Sequence, residues 1–204
     1  MSHFSVELLL GLVMFSFVSS ITPGPNNLMM MSSGLNYGWR RSMPHLLGIS
    51  SGFFVMLFVV GMGAQGLFAR YPFVQIVMKY VGAAYLCWLA FNIAKAPIHG
   101  LRGEAQTLGK PFSFLQAAAF QWVNPKAWVM ALAALAAYLP HPSTMLDVAI
   151  LSAVFTLVGA PCVGAWAGFG VMLRKLLNDP LRMRMFNVAI ALLLLASIYP
   201  ILTT

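Results

Sequence analysis

The sequence predicts an all-α membrane protein: six transmembrane helices forming two inverted three-helix repeats, the first and fourth helices broken at prolines. Three observations predict it. Hydrophobic residues are 60% of the 204 and charged residues 8%, where a soluble domain carries roughly 25% charged. Long apolar runs cover nearly the whole length, with a mean hydropathy of +0.84. Two proline breaks, Thr22-Pro23-Gly24-Pro25-Asn26-Asn27 and Asn124-Pro125-Lys126, fall at matching places in the two halves.

In order, the spans are read at about 5–36, 44–68, 73–94, 112–138, 145–172 and 182–202, against the roughly 20 residues a straight span needs. Span one is too long to be straight, which points to a kink, a tilt or a re-entrant piece. Met1 to Phe4 lack the basic region of a cleavable signal, so the first run is expected to be retained. One membrane domain, 1–204, divides into repeat one at about 1–95, a cytoplasmic linker at about 96–111 and repeat two at about 112–204. Three spans per half is an odd number, so the halves must be inverted. Pro25 and Pro125 echo each other, as do Gly66-Leu67-Phe68-Ala69-Arg70 and Gly170-Val171-Met172-Leu173-Arg174, which end spans two and five.

Loop charges orient the chain. Arg40 and Arg41 follow span one; Lys95, Arg102 and Lys110 follow span three; Arg174, Lys175, Arg182 and Arg184 follow span five. These are nine of the twelve basic residues. The opposite side offers Arg70 and Lys79. Positive charge collects in the cytoplasm, so both termini are expected outside. The net charge of +8 is therefore topological. No basic face with interleaved aromatics exists, which argues against nucleic-acid binding.

The breaks carry the chemistry. Proline lacks an N–H and clashes with the carbonyl four residues earlier, so Pro23, Pro25 and Pro125 free the carbonyls of Ser19, Ile21 and Gln121. Proline also suits the first position of a helix. Pro25 can start a new half-helix after Gly24, and Pro125 one after Asn124, a strong N-cap residue. Each new half-helix offers bare amides that favour an anion; each preceding one offers carbonyls that favour an ammonium. An amino-acid zwitterion needs both. Intramembrane backbone is left irregular only where protein or a wet cavity re-satisfies it, and a pair of such breaks points to a carrier's substrate site.

Lys126 sharpens this reading, because a cation at mid-membrane costs at least ~2.5–3.5 kcal/mol. It is assigned to a substrate carboxylate; the alternative is a structural lysine tying the break to a neighbouring span's carbonyls. Asn26 leans towards substrate contact, and Asn27 suits contact or capping. Thr22 suits donation to a freed carbonyl. Gln121 is a pore-facing amide or a bridge between helices.

Ile21 to Asn27, Gly38-Trp39-Arg40-Arg41 and Gly48-Ile49-Ser50-Ser51-Gly52-Phe53 resemble the LysE/RhtB family of amino-acid exporters. Gly82 to Ala90 is similar to that family's third span, and Phe112 to Trp128, with Gln121, Asn124 and Lys126, to its fourth. The resemblance covers essentially the full chain. It implies an inner-membrane efflux permease for amino acids or derivatives, driven by the proton-motive force as an antiporter, nearest the neutral-substrate branch that includes cysteine/O-acetylserine and homoserine/threonine exporters. The residues agree in one respect: Glu7 and Asp147 lie near outer span ends, leaving no mid-membrane carboxylate to neutralise a basic substrate side chain. The same lack leaves His45, near the cytoplasmic start of span two, as the proton-coupling candidate, set against a plain interfacial histidine. His3, His99 and His141 fall at ends or in loops.

Met29, Met30 and Met31 suit a permissive lining or ordinary packing. The pairs Gly48/Gly52 and Gly164/Gly168 allow close helix approach, within the chain or in a homodimer. Pro161 is a candidate hinge, Lys79 a snorkelling cation, and Tyr37 and Trp39 interfacial anchors. The alternative function is a transmembrane thiol–disulfide relay using Cys87 and Cys162, though only Cys162 has an adjacent proline. A channel would want a ring of charges or carbonyls, which the sequence does not offer. No nucleophile–base pair, carboxylate dyad or phosphate loop is present, so no catalytic residue, metal site or cofactor is expected.

Overall fold

The computed structural model describes residues 4–64, 72–95, 111–140, 142–176 and 179–199. They are helical almost throughout, and no strand occurs among them. The linker expected at about 96–111, Pro111 and Lys95 beside it excepted, lies outside the described residues, as do Arg70, His3, His99, His141 and the 66–70 echo. The side chains of Lys79 and Lys175 also lie outside them.

Helix α1 (Val6–Ile21) starts on Ser5, whose Oγ accepts from the Leu8 amide at 3.2 Å. It stops where Pro23 and Pro25 withhold their N–H groups. After Thr22-Pro23-Gly24 the chain turns by 57° into α2 (Pro25–Tyr37), with Pro25 in the first turn. Leu28 to Asn36 are all buried, so α2 is the central helix of the bundle. Gly38, at φ +79°, reverses the chain at once into α3 (Trp39–Val59). The expected start near 44 is therefore too late. Pro44 stands inside α3, close enough to its beginning that only the carbonyl of Arg40, one turn from the end, loses a partner.

Helix α4 (Pro72–Ala94) follows, then α5 (Phe114–Phe120), opened by a capping box between Ser113 and Gln116. A 3₁₀ turn, Gln121–Val123, leads to Asn124 and α6 (Pro125–Tyr138). Helix α7 (Met145–Leu176) runs through Pro161 as one helix rather than hinging into two, and α8 (Pro180–Ala196) is capped by Asp179.

Among the described residues Trp39–Gly63 and Met145–Arg174 are each long and apolar enough to cross a bilayer, and the bent α1–α2 pair makes a third candidate. Large apolar side chains face outward along α1 (Leu10, Met14, Phe17), α4 (Ile76, Trp88, Phe91) and α7 (Leu157, Met172), far more than a soluble surface exposes.

Small residues set the inner contacts. A Cβ on Gly52 would lie 2.5 Å from the Ala118 Cα, and one on Gly48 2.3 Å from the Phe114 oxygen. That pair is consumed by packing α3 on α5, and does not serve a homodimer. Gly164 meets only side chains of Leu46 and Trp39, at 3.5 and 3.6 Å. The tight crossing of α7 is instead on α2, through Gly34 and Gly170.

Candidate functional site

The two breaks meet. Asn26, in the first turn of α2, exchanges two hydrogen bonds with Gln121: its Nδ2 donates to Gln121 Oε1 at 2.8 Å, and Gln121 Nε2 donates back to Asn26 Oδ1 at 3.2 Å. Gln121 is fully buried and also donates to the Ala117 carbonyl, so it bridges helices. Asn124 is a buried N-cap whose Oδ1 accepts from the Lys126 amide at 3.2 Å. Pro125 starts α6 behind it.

Lys126 reaches across to the first break. Its Nζ donates to the Thr22 carbonyl and lies 3.4 Å from the Pro23 carbonyl oxygen. Its stem passes so close to Gly24 that a Cβ there would sit 2.6 Å from Lys126 Cδ. Gly24 is thus the residue that admits the lysine; its backbone, at φ −176°, needs no glycine for conformation. In the structure the ammonium rests on carbonyl dipoles, the tie between neighbouring spans.

Two of the freed carbonyls, those of Ile21 and Gln121, are not bare, which corrects the expectation of an open carbonyl cradle there. Trp166 Nε1 donates to Ile21 O at 3.1 Å. Asn27, buried, donates to both Ser20 O and Thr22 O at 2.8 Å, a capping role. Gln121 O accepts from the Asn124 amide at 3.3 Å. Thr22 Oγ1 donates to Val18 O at 2.6 Å, and Thr22 and Pro23 are exposed. A broken helix in a protein interior recruits donors from neighbouring helices because an unpaired carbonyl is costly there. In the first turns of α2 and α6 the prolines have no N–H, the Lys126 amide is capped by Asn124 and the Leu28 amide bonds the Gly24 carbonyl, so the amides left without an intrahelical acceptor are those of Asn26, Asn27 and Ala127.

Between the breaks lies a cavity of about 50 Å³, lined by Gly24, Asn26, Asn27, Asn124 and Lys126. That is room for a few waters, not for an amino acid. Sequence reasoning missed its hydroxyl wall: Ser19, Ser20, Ser50 and Thr156 also line it, and Thr156 Oγ1 is buried without a partner. The signal available was polar hydroxyls inside spans one, two and five. Trp166 was missed too; an indole inside a span needs an acceptor.

His45 lies elsewhere. It is 1% exposed, stacked on Phe112 at 5.1 Å between ring centres, and lines a different cavity. It is buried in the bundle, because α3 begins at Trp39 and carries His45 a turn and a half inside it. Both cysteines are free thiols: Cys87 faces outward on α4, and buried Cys162 donates to Val158 O at 3.3 Å. Among the described residues no three His, Cys, Asp or Glu side chains gather into a metal-binding group.

The family model described as LysE type translocator matches residues 17–197. The cysteine/O-acetylserine efflux protein of Escherichia coli O139:H28 is 30% identical over 182 residues, 89% of this chain and 90% of the relative. The proteins of the same description from Escherichia coli K12 and Shigella flexneri are 30% identical over 181 residues, 88% of this chain and 90% of theirs. No solved structure matches. With nearly the whole length matched, from the first apolar run through both breaks to the last helix, the chain belongs to the LysE type translocator family.

Proposed function

We propose that this protein is a secondary-active efflux permease of the inner membrane, exporting a small neutral amino acid or derivative of the cysteine/O-acetylserine kind. The observation that carries the reading is Lys126, whose ammonium sits on the Thr22 and Pro23 carbonyl oxygens beside the first-turn amides of α2 and α6. A site that already holds an ammonium on one side and presents amides on the other matches a zwitterion in both polarities. Substrate displaces Lys126 from those carbonyls: the substrate's α-ammonium takes them, and Lys126, with the amides of Asn26, Asn27 and Ala127, takes the carboxylate. Thr22, Pro23, Gly24, Pro25, Asn26, Asn27, Gln121, Asn124 and Pro125 shape or hold this site.

The chain forms six spans in two inverted repeats, with both termini outside. The pattern of neighbours supports this: α1 packs on α7 and α3 on α5, while α4 packs on α8. A two-fold axis that relates the halves exchanges first with second helices in this way. Exposed Arg40, Arg41, Lys95 and Arg174 cluster at one end, which faces the cytoplasm. The proton gradient drives antiport, with His45 as the proton-coupling side chain.

Everted vesicles test the reading. Labelled O-acetylserine or cysteine should accumulate when a proton gradient is imposed and leak when a protonophore collapses it. No accumulation of either under any gradient sinks the exporter reading; accumulation indifferent to the protonophore removes the proton. The thiol relay has no support in the structure, so a Cys87→Ser/Cys162→Ser double variant should export at the wild-type rate. Loss of export in that variant, with normal protein levels, would restore a role for the thiols.

A further inference from the structure

A second cavity, about 380 Å³ by the same measure as the first, lies between α2, α3, α4 and the start of α5. It shares no lining residue with the first. A plug of apolar side chains from four helices stands between them: Met30, Leu46, Ile49, Ala117 and Val163, with Phe112 packed against it. The second cavity opens at the basic end of the bundle, where Tyr37 and exposed Lys95 stand at its mouth.

Its polar wall is unfinished. His45 is 1% exposed, yet neither Nδ1 nor Nε2 has a hydrogen-bond partner. Asn36 is 9% exposed, and while its Nδ2 donates to Ser32 O at 2.8 Å, its Oδ1 has no partner. Buried polar atoms are almost always satisfied, and an orphan calls for an explanation. A histidine kept only for its stack on Phe112 would be better replaced by phenylalanine, which needs no partner. A neutral imidazole offers one donor and one acceptor; with Asn36 Oδ1 the wall presents one donor and two acceptors. The facing wall is apolar: Trp88, Leu89, Ile93 and Phe112. Among the described residues no carboxylate lines the cavity, and Lys95 brings a permanent cation. The volume falls within the range of small-molecule sites.

We propose that this cavity is a second binding site for the exported amino acid, a loading site at the cytoplasmic end filled before the ligand reaches the helix breaks. The ligand's ammonium is received by Asn36 Oδ1 and the acceptor nitrogen of His45. Lys95 attracts its carboxylate, and a short acyl or apolar side chain lies against Trp88 and Phe112. The proposal rests on the exporter reading, and its test separates the two.

The test is equilibrium binding of labelled O-acetylserine, and separately of cysteine, to the purified full chain in detergent. Wild type should bind two ligands per chain. His45→Phe keeps an aromatic ring on Phe112 and should bind one; Lys126→Ala should also bind one, and the double variant none. Lys95→Glu, at an exposed position where only the contact with the outward-facing Phe91 ring is lost, should weaken binding at the second site by about tenfold at low salt and less at high salt, which covers the case in which His45→Phe fails to fold. One ligand per chain, lost in Lys126→Ala and untouched by His45→Phe and Lys95→Glu, overturns the loading site and leaves the exporter reading standing. It would mean that only water satisfies His45. Two ligands per chain, both indifferent to His45→Phe and Lys95→Glu, also overturn it. Failure of wild type to bind either compound overturns both proposals.

Discussion

Replacing Lys126 with alanine is expected to bring export down to the vesicle background while leaving the protein folded in the membrane. The two halves of that expectation have separate physical grounds. The fold survives because the lysine is not the sole donor at the first break: Thr22 O keeps the Asn27 amide at 2.8 Å, and Ile21 O keeps Trp166. Only the Pro23 carbonyl loses its partner, at an exposed position. Removing an intramembrane cation also relieves a cost of about 2.5–3.5 kcal/mol, so the net change in stability should be within about 1 kcal/mol. Transport fails because a desolvated carboxylate loses its charged partner, which costs 2 kcal/mol or more, about thirtyfold in affinity. Lys126→Met separates charge from shape: its stem still passes Gly24, and it should fail as completely. Membrane-fraction immunoblots beside vesicle accumulation check both halves. Wild-type accumulation in either variant would take Lys126 out of the site.

The positions of the breaks were legible because proline acts locally. A missing N–H at 23, 25 and 125 ends one helix and starts another whatever surrounds it, and α2 and α6 begin at Pro25 and Pro125. Family membership was legible for a related reason: the run from Ile21 to Asn27 has few alternatives once a break must fall there. What reaches the broken backbone was not legible. Sequence gives the cost of burying Lys126 but not the direction in which its stem leans, and Gly24 decides that by leaving room. Nor does it reveal that Trp166, 145 residues from Ile21, covers the carbonyl that Pro25 frees. His45 was expected near the start of a span beginning at about 44; because Gly38 turns the chain early, the same residue lies a turn and a half inside α3. Glycine spacing was half a guide. Gly48 and Gly52 do make the close approach of α3 to α5, whereas the tightest crossing uses Gly34 and Gly170, single glycines on different helices whose pairing only the fold reveals.

That crossing governs the second large effect: Gly34→Leu should prevent assembly of the bundle, and even Gly34→Ala should weaken it. A Cβ on Gly34 would lie 2.1 Å from the Ala167 oxygen and 2.8 Å from its carbonyl carbon; one on Gly170 would lie 2.0 Å from Met31 O. Both obstacles are backbone, which cannot rotate away as the Lys126 stem can beside Gly24. Helices in lipid associate through such close backbone contact, since the surrounding chains supply no hydrophobic drive. Forcing α2 from α7 should cost about 1–3 kcal/mol for one methyl group, and a leucine far more. The damage extends to the site, because α7 carries Trp166 and Thr156, and α2 carries Asn26 and Asn27. Gly164→Ala is the matched control on α7, where a new methyl would meet side chains at 3.5 and 3.6 Å in ordinary contact. Thermal aggregation in detergent should rank wild type with Gly164→Ala, then Gly34→Ala, then Gly34→Leu. A Gly34→Ala protein as stable as wild type would mean that α2 and α7 do not cross there, and Trp166 would then have no fixed place over the first break.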